Sequence, residues 1–146
     1  MLLFNPSAYD AAHYDEPTRR ALLAVRRFFE AKGHAGLKAE SHDAAWYDDF
    51  VEMIGREGIF ARFGTPAAVG SLTGGTDATT ARWDTARNND LSQLLAWYSL
   101  EHWYAWQVTV LGLGPVWTSG NAEAKRLVGQ LLAQGGVFAF GLSERE

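Results

Sequence analysis

Four histidines, a group of carboxylates and two glycine-rich stretches are the residues whose types could carry chemistry in this chain. His13, His34, His42 and His102 would be the metal ligands or general bases. None of their spacings is that of a helical metal pair, and no HExxH occurs. His102 falls in a segment that is apolar nearly all round. There a histidine is either a hydrogen-bonded core residue or a neighbour of a ligand. Asp48, Asp49, Glu52 and Glu57 could do paired acid–base work if burial drove their pKa values apart. They stand opposite an apolar stripe, which places them on a solvated face. "GSLTGG" (70–75) and "GLGP" (112–115) match neither dinucleotide nor P-loop fingerprints and lack the preceding strand that aims such loops at a phosphate. They are read as turns. No Gly-x-Ser-x-Gly elbow is present. Residue types alone supply no catalytic set and no metal site.

The 146 residues make one ordinary domain's length. With 47% hydrophobic and 21% charged residues, a packed core is expected and disorder is not. A net charge of -4 and a pI near 5.5 argue against a nucleic-acid partner. There are no cysteines, so disulfides, thiolate metal sites and thiol nucleophiles are excluded. The opening "MLLFNPSAYD" lacks a basic n-region and does not read as a signal peptide. The apolar stretches stop well short of the roughly 18 residues a membrane span requires. The expectation is a soluble, cytoplasmic protein.

Five helices should position these residues. In the first, Asp15 acts as N-cap, Glu16 and Pro17 fill the first turn, and Ala21, Leu22, Val25, Phe28 and Phe29 share one arc. Arg19, Arg20, Arg26 and Arg27 occupy the other side, as a solvated face or an anion site. Gly33 ends this helix. The second runs from about Asp43 to Glu57 with Trp46, Phe50, Met53 and Ile54 buried. "FARFGTPAAVGSLTGGTDATT" reads as a long connection. A third helix starts near Asp84 or Thr85, with Leu91, Leu94, Leu95 and Tyr98 inward. A fourth, "LEHWYAWQVTVLGLG", is expected to be central and buried; periodicity does not decide whether it is continuous with the third. In the fifth, Asn121 is the N-cap, Glu123 meets the dipole, and Ala124, Leu127, Val128, Leu131 and Leu132 form the stripe. "VFAFGLS" is extended by its β-branched and aromatic content.

Several stretches, in order, resemble the acyl-CoA dehydrogenase family. "WYDDFVEMIGREGIFARFGTPAAVG" is similar to that family's helix, glycine loop and proline passage. "LSQLLAWY" occupies the place of its next helix. "LGLGPVWTSGNAEAKRLVGQLLAQGG" resembles the segment in which the Gly120, Asn121, Glu123 and Lys125 positions recur. "FAFGLSERE" resembles the entry to its middle β domain. The likeness spans about Tyr14 to Glu146. It implies an all-α orthogonal helical bundle over residues 1–134, with one terminal strand at 135–146 leading into a missing β domain.

The function implied is α,β-dehydrogenation of an acyl-CoA thioester. A glutamate takes the α proton and the β hydrogen passes as hydride to N5 of FAD. No residue of this chain matches that glutamate, so the chain alone is expected to be inactive. The implied cofactor-binding residues are Phe140, Leu142 and Ser143, where Ser143 stands for a usual Thr. The implied acyl-pocket residues are Trp103, Tyr104, Gln107 and Leu111, whose two aromatics favour a short, branched or ring-bearing acyl group. The usual Pro after this motif is Arg145. The implied partners are an acyl-CoA substrate, the β and C-terminal domains of the same chain, and further copies in a homo-oligomer. An acyl-CoA oxidase or flavin monooxygenase of the same fold, and a non-catalytic helical interaction module, remain as alternatives. An apolar patch around Trp103, Trp106 and Phe140 is expected on the chain by itself.

Overall fold

The computed structural model describes residues 4–66 and 85–139. Pro17 opens α1, Glu16–His42, with Asp15 in the extended N-cap conformation ahead of it. Gly33 (φ 64°) breaks the helical path as the sequence suggests, but a second helical stretch follows it up to His42. Ala21, Leu22, Ala24, Val25 and Phe29 are buried along the first half. Two of the expected surface arginines do more than meet water. Arg26 Nη1 donates to the Tyr9 carbonyl at 2.8 Å and Arg19 Nε to the Asp10 carbonyl at 3.0 Å, holding the preceding segment onto α1. Arg20 and Arg27 are exposed.

Helix α2, Asp48–Arg56, is shorter than its sequence pattern suggests, and it buries Phe50, Met53 and Ile54. Gly58 then adopts φ 62° and α3, Ile59–Gly64, begins at once. This corrects the reading of "FARFG" as a connection: Ile59, Phe60 and Phe63 are all 2% exposed or less. A run that buries this many side chains within six residues must satisfy its own backbone polar groups, and a helical turn does so. The rest of the expected connection lies outside the described residues.

Helix α4, Thr85–Tyr98, places Leu91, Leu94 and Leu95 in the core. The third and fourth expected helices are two. Ser99 leaves helical geometry (φ -160°, ψ 126°), and α5, Leu100–Thr118, starts after it. Asn121 caps α6, Ala122–Ala133, by accepting the Ala124 N–H at 3.0 Å. Of its expected stripe, Val128 and Leu132 are buried, whereas Leu127 and Leu131 are 51% and 40% exposed.

Helices α4 and α5 pack together, α1 lies on α4, and α3 lies against α4, α5 and α6. Trp106 and Phe60 meet at the centre with ring centroids 4.9 Å apart. Trp117 Nε1 donates to the Gly64 carbonyl at 2.8 Å, tying the end of α5 to the end of α3. Tyr9 donates its phenolic proton to Asp90 at 2.7 Å, fastening the first residues to α4. Burial and the adjacent Asp90 carboxylate raise the Tyr9 pKa, so the phenol stays a donor. The described residues are all-α: six α-helices and a short 3-10 turn at Pro6–Ala8, with no strand among them.

The segment after α6, 136–139, forms neither helix nor strand. The Thr109 hydroxyl lies 3.2 Å from the Phe138 carbonyl and accepts the Phe138 N–H at 3.4 Å. Its approach to α5 depends on Gly112, where a Cβ would stand 2.8 Å from the Ala139 carbonyl oxygen. The strand expected at 135–146 is absent from its described part, 135–139, and the rest of it falls outside the described residues. No helix of the described residues is long and apolar enough to cross a membrane.

Candidate functional site

Two polar residues one turn apart, Asn88 and Ser92, lie beside the buried Leu91 and Leu95 row of α4. Across from them, Trp103, Trp106, Gln107, Val110 and Leu111 come from α5. Together these seven residues line a cavity of about 350 Å³. Its wall is mostly apolar, with polar groups at a few points, which is the usual make-up of a small-molecule site.

Three of the four acyl-pocket positions, Trp103, Gln107 and Leu111, share this cavity. They recur at i, i+4 and i+8, so one face of α5 carries all three. Tyr104 does not join them. It is one residue, about 100° of helical rotation, beyond Trp103 and stands 60% exposed. Leu111 sits at the rim and is 43% exposed. The expectation of a central, buried α5 is corrected: Leu100, Tyr104 and Leu111 face outward, while His102, Trp106, Thr109, Leu113 and Trp117 face in. A helix apolar on every side gives no signal of which side its neighbours will cover.

Asn88, Ser92, Trp106 and Val110 were not singled out as site residues by sequence reasoning. The polar i, i+4 pair beside the leucine row was the available signal for Asn88 and Ser92. The Trp106 indole Nε1 donates to Ser92 Oγ at 3.2 Å. Asn88 Oδ1 is enclosed and accepts no hydrogen bond among the described residues.

His102, 1% exposed, is a core residue. The rings of Phe29, Trp46 and Phe50 surround it at 4.6 to 5.0 Å between centroids, all edge-on, and Phe28 stands farther off at 6.3 Å. Its Nδ1 is 2.7 Å from Ser99 Oγ. Burial holds its pKa below the ordinary value, so it is neutral in this enclosure. It has no access to the α4–α5 cavity wall and acts as packing.

Asp48, Asp49 and Glu52 stay on the surface as expected and Glu57 is half-buried; Asp49 is also ion-paired. Asp49 Oδ2 lies 2.5 Å from Lys32 Nζ, which also reaches both oxygens of Glu40 at 2.5 and 2.6 Å. This clasp bridges the Gly33 break and the start of α2. Among the described residues no group of three or more His, Asp or Glu side chains could hold a metal ion.

Phe140, Leu142 and Ser143, the implied flavin contacts, lie outside the described residues. No known protein-family model, curated protein or solved structure matches the chain.

Proposed function

We propose that this chain is the amino-terminal helical part of an FAD-dependent acyl-CoA dehydrogenase, folded as the orthogonal bundle that begins such enzymes. The observation that carries the reading is the α4–α5 cavity. Its Trp103, Gln107 and Leu111 are three of the four positions to which the resemblance assigns the acyl pocket. The segment after α6 supports it too. Thr109, on the helix that lines the cavity, holds that segment against α5.

In this reading the chain's own residues bind and orient. Trp103, Val110 and Leu111 take up the apolar part of the acyl group and keep water from it, while Gln107 provides a polar contact. Flavin, where present, accepts the hydride; the α-proton base comes from elsewhere in the enzyme, because no residue of this chain matches it. Phe140, Leu142 and Ser143 are the proposed flavin contacts, with the Ser143 hydroxyl as a hydrogen-bond donor or acceptor.

The test is to express the open reading frame that includes this sequence and everything that follows it. The expected product is yellow, and its flavin bleaches on anaerobic addition of an acyl-CoA. The 146-residue chain alone is expected to be colourless. A full-frame protein that binds no flavin overturns the proposal. Rapid reoxidation of the reduced enzyme by oxygen would move the assignment to an acyl-CoA oxidase.

A further inference from the structure

A second cavity, of about 250 Å³, lies between α1 and α4 and shares no lining residue with the first. It opens beside the Gly33 break, where an added Cβ would meet nothing within 4 Å. Glu30, His34 and Leu37 line it from α1, and Trp97 and Tyr98 from α4. Trp97 is 53% exposed, and the Phe4 ring meets it at 6.2 Å and 69°, so the indole is braced yet reachable. Tyr98 lies flat on the buried Phe29, with centroids 4.9 Å apart and planes 6° apart. Its hydroxyl donates to Glu30 Oε1 at 3.4 Å, which sets the carboxylate at the end of the tyrosine ring. The Glu30 side chain is 37% exposed. Arg26 pairs with its other oxygen, Oε2, at 3.3 Å, while Arg26 Nη1 is held by the Tyr9 carbonyl. Among the described residues no lysine or arginine lines this cavity.

We propose that the α1–α4 cavity binds a small quaternary ammonium group of the choline type, with its methyl groups against Trp97, Tyr98 and Leu37 and its charge toward Glu30. Tryptophan and tyrosine rings attract a cation to their faces, tryptophan most strongly. An anion meets a carboxylate here and no base to offset it. A primary ammonium keeps three N–H groups that each need an acceptor once out of water. The wall offers one carboxylate, already shared with Tyr98 and Arg26. A trimethylammonium spreads its charge over methyl groups that ask for no acceptor and pack on rings and a leucine. The net charge of -4 adds a long-range attraction for any cation. At about 250 Å³ the cavity is smaller than ordinary ligand sites, which suits a headgroup rather than a whole cofactor. A free choline-type solute and the headgroup of phosphatidylcholine share this chemistry. The site is independent of the acyl-CoA reading and uses none of its residues.

Three probes test the site on the 146-residue chain: choline, its neutral carbon isostere 3,3-dimethylbutan-1-ol, and ethanolamine. The titrations are run at about pH 8, above the range in which histidine charges. Ligand-observed NMR gives the affinities, and the indole N–H signal of Trp97, assigned by its loss in Trp97→Leu, locates the site. Choline is expected to bind about three- to tenfold more tightly than either control, the worth of a partly exposed cation–π contact, and to shift the Trp97 signal. Glu30→Gln keeps the shape and should shrink the preference; Trp97→Leu should abolish it. Both side chains reach the surface, so both variants are expected to fold, which far-UV circular dichroism checks. Equal binding of choline and its isostere, ethanolamine binding as tightly as choline, an unmoved Trp97 signal, or a preference that survives both variants overturns the proposal. Phosphatidylcholine vesicles decide the source. Co-sedimentation that free choline competes away and Trp97→Leu abolishes assigns the lipid headgroup; choline binding without vesicle binding assigns the free solute.

Discussion

Gly135 lies against Gly55 so closely that a Cβ added to Gly135 would stand 2.7 Å from the Gly55 Cα, and its φ is 85°. The contact joins the end of α6 to the last turn of α2. Gly135→Ala meets both a backbone clash and a left-handed conformation, so it is expected to destabilise the fold by about 2–3 kcal/mol. Gly55→Ala is expected to be far milder. Its Cβ would stand 3.3 Å from the Gly135 Cα, and replacing a helical glycine returns about 1 kcal/mol. Urea midpoints of the two variants check the ranking; equal midpoints would falsify the close approach.

Burial sets the pH response of His102. The folded state favours the neutral ring, because its pKa is held below 6.5 first by desolvation, with the nearby Lys32 charge adding to it. The unfolded chain takes up a proton as pH falls through that ordinary value, so it binds more protons than the folded one and stability falls. The backbone near Trp46 and the Glu101 and Asp49 carboxylates act the other way and limit the effect. Thermal midpoints should drop from about pH 7 to about pH 5. His102→Phe, which keeps a ring among Phe29, Trp46 and Phe50, should flatten that slope; an unchanged slope shows that other groups cause it.

Lys32 is 11% exposed and holds Glu40 and Asp49 together. Burial alone would lower its pKa, and the hydrogen bonds to Asp49 and Glu40 outweigh it and leave the pKa raised. Lys32→Met should cost about 1–2 kcal/mol, less than a fully buried pair, because both carboxylates reach water once released. The linked stability is complete below the ordinary lysine value of 10.5 and is lost as pH rises through the raised one. A titration of stability to alkaline pH, compared between the wild-type chain and Lys32→Met, measures this. Identical alkaline profiles would remove Lys32 from the account.

Trp117 closes α5 onto α3 through its indole N–H and the Gly64 carbonyl, 2.8 Å apart and buried. Trp117→Phe keeps a ring but strands the carbonyl. A loss of about 1–3 kcal/mol is expected from the unsatisfied group, before any cavity is counted. Denaturant unfolding reads it directly, and a loss under about half a kcal/mol would mean that water replaces the indole.

An apolar surface remains on α5, and of the residues expected to form it Trp103 is half-buried. Trp106 is buried and Phe140 lies outside the described residues, whereas Leu100 and Tyr104 are 69% and 60% exposed. The chain alone is expected to self-associate through this face. Sedimentation velocity of the Leu100→Glu, Tyr104→Lys double variant should show a shift toward monomer; a wild-type chain that stays monomeric at high concentration contradicts it.

Much of the local structure is legible in the amino-acid order because it arises within a few residues. Asn121 as a cap, the Gly33 break, and the Leu91, Leu94 and Leu95 row follow from backbone hydrogen bonding and helical period. So does the placement of Asp48 and Glu52 in water. The cavity was legible only in part: the i, i+4, i+8 spacing set Trp103, Gln107 and Leu111 on one face, and the family resemblance pointed to it. Asn88 and Ser92 escaped because polar residues beside a leucine row look the same whether they meet water or a ligand.

By itself, then, the sequence determined the all-α class of the described residues, the starts of α1, α4 and α6, and the lack of any thiol. Tertiary structure alone decided that Ile59–Gly64 is a buried helix, that Tyr104 points away from Trp103's cavity, and that Lys32 bridges Glu40 and Asp49. The reason is physical. Capping and periodicity act over one or two turns, whereas burial depends on which distant surface arrives. Helix α5 is apolar around its whole circumference, so only the arrival of α3, α4 and α6 separates its inward face from its outward one.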